Sequence, residues 1–69
     1  MRETIGFIGG GNMAKSLAGG LIARGLAAHQ ILISDPVAAQ LDSLAAQLGV
    51  RTTADNLVVA GEADVVILA

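Results

Sequence analysis

Residues 5–20 read IGFIGGGNMAKSLAGG, and the hydrophobic period changes inside this stretch. Ahead of the glycine triplet, Thr4–Ile8 is a short apolar run whose Ile5, Phe7 and Ile8 suit a buried strand. Beyond it, from Asn12 to Arg24, Met13, Leu17 and Leu21 recur every fourth residue, with Ala14, Ala18 and Ile22 beside them. That spacing predicts an amphipathic helix with this stripe as its apolar face. Glycine gives up more backbone freedom on folding than any other residue. Six of the chain's nine glycines nevertheless fall in this one stretch, where a strand must turn sharply into a helix.

The same alternation continues to the end of the chain. Gln30–Ser34 holds Ile31-Leu32-Ile33, a second strand, after Gly25 has closed the first helix. Asp35-Pro36 predicts the next helix start, with Asp35 as N-cap and Pro36 in the first turn. Leu41, Leu44, Ala45 and Leu48 follow at helical spacing, and Gly49 ends the run. Val50–Thr52 predicts a third strand, Thr53 or Asp55 caps a brief helix through Ala60, and Asp64–Ala69 is a strongly β-prone fourth strand. The order β-α-β-α-β-α-β implies an α/β fold, a parallel sheet of the Rossmann type with helices on its faces. The chain stops on its most apolar strand, an edge that proteins normally cover. Residues 1–69 are therefore expected to be an N-terminal part of such a domain, incomplete at the C-terminus.

Composition narrows the chemistry. The 69 residues are 54% hydrophobic with Phe7 the lone aromatic, which suits buried parallel strands better than an aromatic-anchored binding surface. Neither a disulfide nor a thiolate metal site is available without cysteine, and His29 has no ligand cluster around it. Arg2, Lys15, Arg24 and Arg51 are isolated in a chain of net charge −2, so no basic footprint for nucleic acid exists. Asn12, Lys15, Glu62 and Asp64 break the apolar stretches well short of the roughly 20 residues that a spanning helix needs. Met1-Arg2-Glu3 is a poor start for a signal peptide. A soluble, cytoplasmic protein is expected.

Gly9-Gly10-Gly11-Asn12-Met13-Ala14 matches G-x-G-x-x-A, a form of the dinucleotide fingerprint. Gly9 permits the tight turn, Gly11 clears the approach of a pyrophosphate, and Ala14 allows close packing of helix on strand. The amides of Gly11, Asn12 and Met13 would then meet the phosphates at a helix N-terminus. Glycine-rich turns also arise for packing alone, but this one follows a strand, opens a helix and precedes a second strand ending at Asp35. Asp35 stands near the spacing of about 20 residues expected for a ribose ligand, as well as at a helix cap. Its carboxylate would favour the free 2′-hydroxyl of NAD, and the uncharged Pro36, Val37 and Ala38 offer nothing to a 2′-phosphate, while Ser34 suits either. Other adenosine ligands, a methyl donor or a flavin, remain open. Gly19 and Gly20 are expected to mark close helix packing, and Lys15 a solvated side chain.

With these residues in place, IGFIGGGNMAKSLAGGLIARG resembles the opening of the pyrroline-5-carboxylate reductases, with Asn12-Met13 its most specific part. ILISDP and DVVILA sit where that family has its second and fourth strands. The resemblance implies NADPH- or NADH-dependent reduction of 1-pyrroline-5-carboxylate, an imine, to L-proline. It places Ile8, Gly9, Gly10, Gly11, Asn12 and Met13 around the pyrophosphate. Ser34, Asp35 and Asn56 fall at the adenosine end, and Ala69 begins the nicotinamide-side loop. It also implies a helical C-terminal domain, absent from these residues, that binds the substrate and forms homo-oligomers. No catalytic residue carries over, and this segment alone is expected to be inactive. A non-catalytic NAD(P)-sensing module is the rival reading. Related 3-hydroxyacid-type dehydrogenases usually show G-x-G-x-M-G instead.

Overall fold

The structure, a computed structural model, describes residues 3–69; Met1 and Arg2 lie outside the described residues. Four strands and three helices alternate: β1 (Ile5–Ile8), α1 (Asn12–Ala23), β2 (Ile31–Ser34), α2 (Ala38–Leu48), β3 (Arg51–Thr53), α3 (Asn56–Glu62) and β4 (Val65–Leu68). A single 3-10 turn, Ala28–Gln30, leads into β2. All the pairings are parallel and the strand order is β3-β2-β1-β4. The predicted α/β alternation is therefore the observed one, and element ends shift by a residue or two. Strand order reverses between β1 and β4. The crevice beyond the carboxyl ends of such a pair is where open α/β sheets take their ligands.

Side chains along a strand point to alternate faces, and here the two faces are filled differently. Ile5 and Phe7 of β1, with Ile31 and Ile33 of β2, face a core closed by Ala14, Ala18, Leu44 and Val50. The opposite face carries Gly6, whose surroundings are set by α3. A methyl group built there would lie 2.5 Å from Val59 Cγ1 and 2.6 Å from Ala63 Cβ. Gly6 thus allows α3 to cross directly over β1, a role its sequence position did not reveal.

The contact face of α1 is the expected one at Ala14, Ala18, Leu21 and Ile22, and departs from it at Met13 and Leu17. Ala14 and Ala18 are fully buried, whereas Met13 is 64% and Leu17 44% exposed. The small Ala14 and Ala18 pack in the core with Phe7, Leu21 and Ile22 pack partly buried against it, and Met13 and Leu17 stand at the rim. Nor does close packing explain both mid-helix glycines. A Cβ on Gly19 would reach Leu48 only at 3.9 Å, and one on Gly20 would meet nothing within 4 Å.

The helix ends follow local chemistry. Gly25, at φ +108°, ends α1 in a Schellman arrangement: its N–H donates to the Ile22 carbonyl and that of Leu26 to the Leu21 carbonyl. Gly49, at φ +73°, ends α2. The start of α2 corrects the expectation for Asp35-Pro36. Val37 is the N-cap and the helix begins at Ala38, because Asp35 Oδ1 accepts the Val37 N–H at 2.8 Å and holds the chain extended for two more residues. Of the two candidates at α3, Asp55 is the cap, its Oδ1 accepting the Leu57 N–H at 2.8 Å. Asp55→Ala should cost about 1 kcal/mol, the usual worth of an N-cap, as a lowered urea midpoint with an unchanged slope.

Candidate functional site

Backbone hydrogen bonds stitch together the carboxyl ends of the strands. Gly9 N–H donates to the Ser34 carbonyl at 2.8 Å, Asp35 N–H to the Thr53 carbonyl at 3.2 Å, and Ala69 N–H to the Ile8 carbonyl at 3.0 Å. Together they draw Ile8, Gly9, Ser34, Asp35 and Ala69 to one edge of the sheet. Gly9 has φ +106°, a conformation that L side chains rarely adopt, and a Cβ there would sit 2.5 Å from the Ala69 carbonyl oxygen. The turn after β1 thus passes tightly over the end of β4, at the switch point itself.

Successive glycines of the turn meet different surroundings. Gly10 is buried: its N–H donates to Asp35 Oδ2 at 2.8 Å, and a Cβ would lie 3.1 Å from both Asp35 Cβ and Leu44 Cδ1. Gly11, the N-cap of α1, has nothing within 4 Å of where its Cβ would stand. No side chain caps α1 and its first turn holds no acidic residue. The first amides of a helix lack intrahelical partners, and here they open onto free space with the positive end of the helix dipole behind them. Asn12 and Met13, the first two helical residues, are exposed on that opening. An anion fits this place.

Of the other residues singled out from the sequence, Ser34 is fully buried at the tip of β2. Its hydroxyl donates to Asn56 Oδ1 at 2.7 Å, which ties the first residue of α3 to the same edge. Asn56 itself is exposed. Lys15 is exposed, and Arg51 pairs with Glu62 at 3.1 Å on the surface. Sequence reasoning missed the Gly10–Asp35 hydrogen bond, which joins residues 25 positions apart. A motif template describes spacing along the chain, not which backbone amide a distant carboxylate accepts. Two shallow apolar grooves flank α1, one of about 310 Å³ between Leu17, Leu21 and Ile67, and neither includes the glycine turn. Among the described residues no group of His, Asp or Glu is placed to hold a metal, and no helix is long and apolar enough to cross a membrane.

Comparison with known proteins gives consistent relatives. Residues 4–69 match the family model described as NADP oxidoreductase, coenzyme F420-dependent. A pyrroline-5-carboxylate reductase of Vibrio alginolyticus is 45% identical over 66 residues, covering 96% of this chain and 24% of the relative. One from Pseudomonas aeruginosa is 47% identical over 64 residues, covering 93% of this chain and 23% of the relative. The solved structure of a pyrroline-5-carboxylate reductase from Coxiella burnetii superposes with a TM-score of 0.93 at 43% identity, over 100% of this chain and 26% of that one. The chain spans about a quarter of the length of these relatives.

Proposed function

This chain belongs to the family of NADP oxidoreductases described as coenzyme F420-dependent, and from that premise we propose that it is the cofactor-binding segment of a pyrroline-5-carboxylate reductase. The observation that carries the reading is the uncapped start of α1, open above Gly11 and placed at the sheet's switch point, within a segment so similar to reductases of that name. A nicotinamide dinucleotide fits it. Its pyrophosphate lies against the turn from Ile8 to Met13, where the amides of Gly11, Asn12 and Met13 supply donors and Gly9 keeps the turn tight. The adenosine end lies over the tip of β2, beside Asp35 and Asn56, with Ser34 acting through the amide group it holds. Ala69, against Gly9, begins the side that faces the nicotinamide.

Bound there, NADH or NADPH supplies a hydride to the imine carbon of 1-pyrroline-5-carboxylate, the nitrogen takes a proton, and L-proline and the oxidised cofactor result. The residues of this segment bind and orient, and the substrate is held outside it, in a helical domain that also assembles the subunits into a cytoplasmic homo-oligomer. In the intact protein carrying this segment, loss of dihydronicotinamide absorbance should require pyrroline-5-carboxylate and yield proline. Cofactor binding without turnover on that substrate would overturn the reductase reading and favour a sensing module.

A further inference from the structure

Asp35 is the one buried charged residue among those described, and its carboxylate is turned inward. Oδ2 accepts the Gly10 N–H and Oδ1 the Val37 N–H, each at 2.8 Å. It makes the only side-chain hydrogen bond to residues 9–13 among the described residues. Behind Gly10, a methyl group would stand 3.1 Å from Asp35 Cβ and Leu44 Cδ1 and would have to push them back by a few tenths of an ångström, so the turn is held by a hydrogen bond and a close wall together. One residue further on, a Cβ on Gly11 would meet nothing within 4 Å. The open, anion-facing half of the turn therefore hangs from the half that Asp35 fixes.

A carboxylate so near an anion site opposes the ligand by Coulomb repulsion. Its spacing along the chain suggests a reader of the ribose hydroxyl, yet both of its oxygens already serve backbone amides. We propose that Asp35 is a positioning residue for the phosphate-binding turn: by holding Gly10 it keeps the amides of Gly11–Met13 aimed at the pyrophosphate, whichever nicotinamide dinucleotide binds. Loss of the carboxylate leaves a buried N–H without an acceptor, and the turn relaxes to find water. The inference rests on the dinucleotide reading above and deepens it.

The test is titration of the intact protein carrying this segment with NADH and with NADPH, for wild type, D35S, D35N and G10A. D35S should weaken both cofactors about tenfold or more, the effect of losing a hydrogen bond to a charged group. D35N retains one acceptor oxygen for two amides and should fall between. G10A keeps the carboxylate but presses on Asp35 and Leu44, so it too should weaken both, leaving their ratio unchanged. In steady state the KM for cofactor should rise while kcat at saturation holds, the signature of lost binding rather than lost chemistry. NADPH tightening as NADH weakens in D35S would make Asp35 a ribose reader and overturn the inference. So would unchanged binding in D35S, or an equal fall of kcat and kcat/KM with a lowered melting midpoint. A wild-type protein that binds neither dinucleotide removes the site itself, and the inference with it.

Discussion

Gly6→Ala should destabilise the fold by about 3 kcal/mol, at the upper end of what overpacking a core costs, although it adds one methyl group and leaves φ unstrained. The new Cβ would stand 2.5 Å from Val59 Cγ1 and 2.6 Å from Ala63 Cβ. Val59 is fully buried, and the Ala63 methyl is fixed to the backbone just beyond α3. Relief therefore requires α3 to lift from β1, which separates the helix that covers this face, among the described residues, from the strand beneath it. Domains of this size are stable by about 0.05–0.15 kcal/mol per residue, so the loss is a large share of the total. Urea unfolding of the protein carrying this segment measures it. Gly6→Ala/Ala63→Gly, which moves the methyl from the end of α3 to the strand, should recover part of the loss. A neutral Gly6→Ala would mean that α3 does not pack as described.

The contrast between Gly6 and the motif glycines shows what a sequence makes legible. Strand and helix order was readable because each element carries its own period, and the ends were readable wherever a local device marks them, as Gly25, Gly49 and Asp55 do. Such devices act between residues a few positions apart. Gly6 answers to Val59 and Ala63, and Gly10 to Asp35 and Leu44; these are tertiary neighbours for which no period exists. The exposure of Met13 and Leu17 on α1 has the same origin. Met13 and Leu17 satisfy helical periodicity as well as Ala14 and Ala18 do, but it is the small pair that packs in the core with Phe7, while Leu21 packs partly buried against it. Asp35 was noticed for its spacing, but its spacing is silent about which way the carboxylate turns. The candidate site was legible as a pattern, since the fingerprint fixes the residues at the turn. Its internal wiring was not.

Gly11→Val should do the opposite of Gly6→Ala: weaken dinucleotide binding severely and leave the fold standing. Gly11 has φ −77° and ψ −166°, a conformation open to any residue, and a Cβ there meets nothing within 4 Å. The structural penalty is limited to a poorer N-cap and should be about 1 kcal/mol or less. The branched side chain would instead occupy the space above the first amides of α1, where a pyrophosphate must approach to accept their hydrogen bonds. Hydrogen bonds to charged groups are worth about 1.5–3 kcal/mol each, so losing two or more of them weakens binding by about a hundredfold or beyond. Calorimetric titration with NADH and NADPH, beside a urea unfolding curve close to that of wild type, separates the two effects. Unchanged affinity would show that the phosphates lie elsewhere. A protein that unfolds outright would show that Gly11 is packed, against the open space around it. Together the two substitutions would separate two reasons for a small residue: at Gly6 the crossing of α3 over β1, and at Gly11, on the function proposed above, the approach of a ligand.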